Sequence, residues 1–275
     1  MDLSSLPTAV KTFECLGAIS LLIQTAEFLR LRPATAVTGV WSWPIQRADL
    51  AHASASTQRV FDALFDDALV HAHLWLRALM AASLFFGSTP LTAAFLFASG
   101  IVILIRWRGA FNGGSDFMTL AFATALLIGN LATPFFGEAL AWRAALWYGC
   151  IHAVTSYFIS GAIKLFSVRW RNGTALTHFL DGGIYGPLPA QSSFRRPIVA
   201  VACSWAFIVW EFAFPIALLD PRHALLWCTV AGGFHALVFR YFGLNRFFWA
   251  WLTMFPGLAI FITVFGINLL GDGLR

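Results

Sequence analysis

The chain of 275 residues is 59% hydrophobic and 11% charged, with 28 Phe and 12 Trp, whereas soluble domains carry about a quarter charged residues. That balance leaves no room for a sizeable soluble domain and points to an all-α polytopic membrane protein, one bundle over residues 1–275 in a lipid bilayer. The net charge of +5 then reports loop topology and anionic headgroups, and no nucleic-acid partner is expected.

Apolar runs predict about eight spans, at roughly 10–29, 69–88, 89–107, 116–136, 140–166, 197–219, 222–242 and 246–270. The N-terminal MDLSSLPTAVKTF lacks a basic n-region and an A-x-A cleavage site, so the first run is expected to be a retained span. After it, RVFDALFDDAL (Arg59–Leu69) places Val60, Leu64 and Phe65 on one helical side, the pattern of an interfacial helix. Asp66, Asp67, His71 and His73 follow. The two histidines point apart on a helix, and the aligned Asp67–His71 pair offers only two ligands, so no metal site is expected. His73 also aligns with Arg77, a candidate buried cation.

GSTP joins spans two and three as a tight hairpin. RWRGAFNGGSDFM (Arg106–Met118) then reads as a basic loop and a turn at Asn112, Gly113 and Gly114, with Ser115 or Asp116 capping span four. Backbone amides in such a turn can hold an anion or a quinone oxygen. Cys15, Cys150, Cys203 and Cys228 all lie in apolar runs and form no C-x-x-C pair, which reads as buried small side chains.

Span five ends in YFISGAIKLF, with Lys164 on one face with Tyr157, Ser160 and Gly161. An intramembrane ionisable group points to function by default, although a lysine near a span end also snorkels to headgroups. Gly161 lets a neighbouring helix or a flat ligand approach the amine. A desolvated amine would become a usable base. Ser167–Arg196 is a partly irregular, Gly- and Pro-containing loop. Span six holds Glu211, either a partner for Lys164 or Arg77 or a catalytic group, and Pro215 is expected to kink the helix there. In span seven His235 follows Gly232 and Gly233, a thin face suited to close packing; the imidazole either packs against a neighbour or shuttles a proton. With the first loop placed cytoplasmic, basic residues number twelve on that side, Arg106 and Arg246 among them, and four on the other.

Four stretches, taken in order, resemble the membrane domain of the vitamin K-dependent gamma-glutamyl carboxylase and its bacterial relatives, the horizontally transferred transmembrane (HTTM) domain proteins. They are NGGSDFM, YFISGAIKL with RWRNGTAL, WEFAFP and FHALVFRYFGLNRFFWAWLTMFP, together covering roughly residues 100–260. The resemblance implies a quinone-linked lyase- or monooxygenase-type enzyme in a bacterial plasma (inner) membrane. Lys164 would deprotonate a vitamin K-like hydroquinone, and oxygen uptake would generate a stronger base that activates a carbon acid such as a peptide glutamate, with carbon dioxide as a further co-substrate. His235 and Glu211 would stand beside Lys164 as catalytic residues, and Tyr157, Ser160, Gly161, Asn112 and Trp170 would face the quinone. The turn departs from the carboxylase, which has a histidine where this chain reads Asn112-Gly113-Gly114-Ser115. The carboxylase's large lumenal substrate-holding region has no counterpart, which implies a small peptide substrate and a separate partner protein. The family's active site opens to the lumen, whereas the arginine count places the Lys164 end on the cytoplasmic side. The alternative is a non-enzymatic protein assisting maturation, export or immunity of a small toxin-like peptide.

Overall fold

The structure, a computed structural model, describes residues 6–108 and 113–256, all helix, turn or loop with no strand among them. In chain order the helices are α1 (Leu6–Arg30), α2 (Arg32–Thr35), α3 (Trp43–Gln46), α4 (Ala55–Leu64), α5 (Asp67–Ser83), α6 (Pro90–Trp107) and α7 (Gly113–Phe136). They continue with α8 (Glu138–Phe166), α9 (Val168–Arg171), α10 (Thr174–Asp181), α11 (Pro197–Phe212), α12 (Pro221–Phe242) and α13 (Asn245–Leu252). Of these, α1, α6, α7, α8 and α12 are long and apolar enough to cross a membrane. The other expected spans are shorter here or leave the described residues: α5 has 17 residues, α11 has 16, and the eighth run continues past Pro256.

Local chemistry explains where the helices break. The expected interfacial helix over Arg59–Leu69 is two helices, because the Asp66 side chain accepts from the Ala68 amide and starts α5 afresh. Phe65 at that break is buried against Trp43 and Phe61, while Val60 stays exposed, so they do not form one apolar stripe. The α5–α6 hairpin turns through Gly87 at φ +121°, and Thr89 caps α6 by accepting from the Thr92 amide. Pro215 lacks an N–H, so span six does not run kinked to residue 219. It ends as an α-helix at Phe212 and continues as a 3-10 turn, Phe214–Leu218.

Helices α5 to α8 pack in sequence, and α1 lies among α5, α7, α8 and α13. Side chains interlock closely where α1 meets α7: a Cβ at Gly17 would fall 1.9 Å from the Phe122 ring. Phe13 and Phe122 pack with ring centroids 4.7 Å apart. The next helix, α11, packs along α8, while α12 lies against the Phe214–Leu218 turn and α13. That arrangement brings the last third of α8 face to face with the end of α11.

Candidate functional site

Lys164 lies in the last turn of α8, and Glu211 near the end of α11. The Lys164 ammonium donates to Glu211 Oε2 at 2.5 Å and to Ser160 Oγ at 2.6 Å. Its Nζ stands 5.1 Å from the centre of the Trp170 ring, in cation–π range. The lysine side chain is 16% exposed and the glutamate 5%, so the pair is enclosed on most sides with one edge open. Such a charge-assisted contact is strong where water is largely excluded. Of the partners left open for Glu211, Lys164 is the one the fold supplies.

The sequence explains the closeness of α8 and α11. Gly161 sits directly against α11, where a Cβ would lie 2.3 Å from the Phe212 amide nitrogen. The space beside this glycine is therefore filled by a neighbouring helix, the first of the two approaches the motif allows. Beyond the helix end, Gly173 at φ +80° packs on the Ala200–Val201 backbone, and the Ser204 hydroxyl donates to the Trp170 carbonyl. These contacts fix the backbone that carries the indole beside the amine.

Two turns back along α8, Tyr157 stacks on Phe214 with centroids 4.0 Å apart and meets Trp251 at 4.7 Å. The Tyr157 hydroxyl and His235 Nε2 share a hydrogen bond of 2.5 Å. His235 is buried, stacks on Trp251, and has no hydrogen-bond partner for Nδ1 among the described residues. The structure thus forms two adjoining groups: Lys164 with Glu211, Ser160 and Trp170, and Tyr157 with His235. Asn112 lies outside the described residues. A Cβ on Gly232 or Gly233 meets nothing within 4 Å among the described residues, so none of these packs closely on either glycine. No cluster of three or more metal-ligating side chains occurs among the described residues.

A second polar centre holds Arg77, the expected buried cation, together with partners that helical spacing does not name. Ser115 and Asp116 do not cap span four, because α7 already begins at Gly113 and Asp116 faces inward. Asp116 Oδ1 accepts from Gln24 Nε2 at 2.7 Å and from Arg246 Nη1 at 2.8 Å. Arg77, 1% exposed, donates to Gln24 Oε1 and to Ser99 Oγ, both at 2.7 Å, and Ser99 also bonds His73. Arg246 Nε further pairs with Glu27 at 2.8 Å. The signal available was Gln24 and Glu27, polar residues three apart inside an apolar run. No family model, curated protein or solved structure matches this chain.

Proposed function

We propose that this is a quinone-linked membrane enzyme in which the Lys164–Glu211 pair handles the proton of a weakly acidic ligand hydroxyl. The observation that carries the reading is the 2.5 Å contact between an ammonium and a carboxylate, enclosed except at one edge and set over an aromatic face. As a zwitterion, the pair takes up one proton on Glu211 while Lys164 stays positive and stabilises the oxyanion left behind. The proton acceptor is then the pair as a unit, a departure from a free neutral lysine. The Trp170 face suits a planar ring, and the unpartnered His235 Nδ1 offers a polar contact for a ligand oxygen or carboxylate. A bound vitamin K-like hydroquinone would supply reducing equivalents and, with oxygen, the strong base that a carbon acid such as a peptide glutamate requires; carbon dioxide would be the further co-substrate. This reading is that of a small HTTM-type protein with eight spans in a bacterial inner membrane.

The test is to supply purified protein with reduced naphthoquinone and oxygen and to assay quinone epoxide. The wild type forms epoxide, and Lys164→Ala and Glu211→Gln each lower the rate by about a hundredfold or more, the scale of lost proton-transfer catalysis. Turnover unchanged in either variant overturns the mechanism.

One observation favours a second reading. The Lys164–Glu211 pair and the Gly161 contact together fasten α11 to α8, as a non-enzymatic scaffold assisting a small toxin-like peptide would need. Under that reading a Lys164→Met, Glu211→Met double variant, which replaces the ion pair by an apolar contact of similar volume that still fastens the helices, keeps full biological function.

A further inference from the structure

At the opposite end of α8 from Lys164, about 39 Å away along the helix at 1.5 Å per residue, a pocket of about 560 Å³ opens between the starts of α1 and α8 and the α5–α6 hairpin. Its volume is that of a small-molecule site. Four charged side chains line it: Lys11, Glu14, Glu138 and Arg143. None of the four forms an ion pair among the described residues. Two cations and two anions thus line one cavity with no direct ion pair among the described residues.

Their depths differ. Glu14 is 5% exposed and held in place by the Ser88 amide, which donates to Oε1 at 2.7 Å. Lys11, Arg143 and Glu138 lie at the exposed rim. Lys11 donates to the Phe85 carbonyl at 2.6 Å, leaving further ammonium protons for a ligand. Trp142 is the buried apolar wall, and Phe86, 93% exposed, projects beside the mouth. Leu6 and Glu138 are the first residues of α1 and α8, so the mouth lies where two membrane-crossing helices begin.

We propose that this pocket seats the headgroup of a phosphatidylethanolamine-type lipid. Its phosphate lies against Lys11 and Arg143, its primary ammonium reaches Glu14, and its acyl chains leave past Phe86. A zwitterion satisfies both signs of charge, and the deep carboxylate calls for a head that carries N–H donors and is narrow enough to enter. A trimethylammonium head has no such donors, and an anionic head would set an uncompensated negative charge against Glu14. A lipid, unlike a soluble zwitterion, also covers the apolar rim.

The test is native mass spectrometry of the intact protein with defined lipids, preceded by a melting curve for each variant. The wild type retains phosphatidylethanolamine about tenfold more tightly than phosphatidylcholine or phosphatidylglycerol, the scale of one charge-assisted hydrogen bond. Glu14→Gln abolishes the preference over phosphatidylcholine, and a Lys11→Ala, Arg143→Ala double variant weakens both zwitterionic lipids about tenfold. The wild-type ranking decides the matter even where a variant fails to fold. Equal or tighter retention of phosphatidylglycerol, no retained lipid, or a preference unchanged in folded Glu14→Gln overturns the proposal. Displacement of the lipid by millimolar soluble phosphoethanolamine overturns the choice of a lipid as occupant.

Discussion

Neutralising Asp116 is expected to be among the most damaging single changes outside the Lys164 region. Its carboxylate is 2% exposed and joins Gln24 on α1 to Arg246 on α13, and Arg77 on α5 reaches it through Gln24. The two guanidiniums are balanced by Asp116 and Glu27. Asp116→Asn keeps the shape but leaves a net positive charge among side chains that are 1–4% exposed. Removing one partner of a buried ion pair costs about 3–5 kcal/mol. Glu27, with its side chain 39% exposed, compensates little, since solvent screens it. At about 1.4 kcal/mol per tenfold, the unfolding constant rises by roughly two to three and a half powers of ten. Unfolding in mixed detergent micelles, followed by tryptophan fluorescence, measures this directly. Arg77→Met added to Asp116→Asn restores charge balance and recovers more than half the loss, a coupling that a double-mutant cycle reads. If Asp116→Asn lies within about 1 kcal/mol of the wild type, or the two changes are strictly additive, the network is not the electrostatic unit described.

Gly161→Ala forces α8 away from the Phe212 backbone and costs at least about 1–3 kcal/mol by the overpacking scale, read in the same unfolding assay. Gly233→Ala, with nothing within 4 Å of its Cβ among the described residues, stabilises by about 0.5–1 kcal/mol, because only helix propensity changes. Outside the spans, hydrogen bonds to Asp62 from Arg47 and then Trp43 hold its carboxyl below the ordinary aspartate value. A carboxylate depressed in the folded state contributes above its unfolded pKa of about 3.9 and loses that contribution as pH falls through the lower folded value. Amide exchange across residues 43–62 therefore quickens only below about pH 4; quickening between about pH 5 and 6 counts against this assignment.

Local patterns were legible where local chemistry decides. The apolar runs located α1, α6, α7, α8 and α12 because burial in lipid demands long apolar helices whatever their neighbours. The face shared by Ser160 and Lys164 followed from helical spacing, and both meet at 2.6 Å. Asp116 was misread because its first-turn position suits a cap, while its partners lie 92 and 130 residues away and no local rule names them. The arginine count suffered in the same way. Arg106 and Arg246 were scored as loop charges facing headgroups, yet they are 3% and 4% exposed and bonded to Gln46 and Asp116. Leaving them out turns twelve against four into ten against four, which weakens the cytoplasmic assignment without reversing it.

The two polar centres differ in a way that bears on which of them does chemistry. Around Asp116 the charges sum to zero, and Arg77, Asp116 and Arg246 are all nearly sealed from solvent. A centre of that kind holds α1, α5, α6, α7 and α13 in register, and its exposure lies at Glu27, the outer partner of Arg246, while the Asp116 carboxylate that joins the helices stays buried. Lys164 and Glu211 are also matched in charge, yet the amine keeps 16% exposure and is held mainly by one carboxylate, one hydroxyl and an aromatic face. Proton exchange needs that open edge. The aromatic group of Tyr157, Phe214, His235 and Trp251 connects the centres, since α13 carries both Trp251 and Arg246. The sealed network thereby sets the position of the wall behind the reactive pair. Loosening it by Asp116→Asn should disturb the Tyr157–His235 contact before it disturbs the Lys164–Glu211 pair, which α8 and α11 hold between themselves.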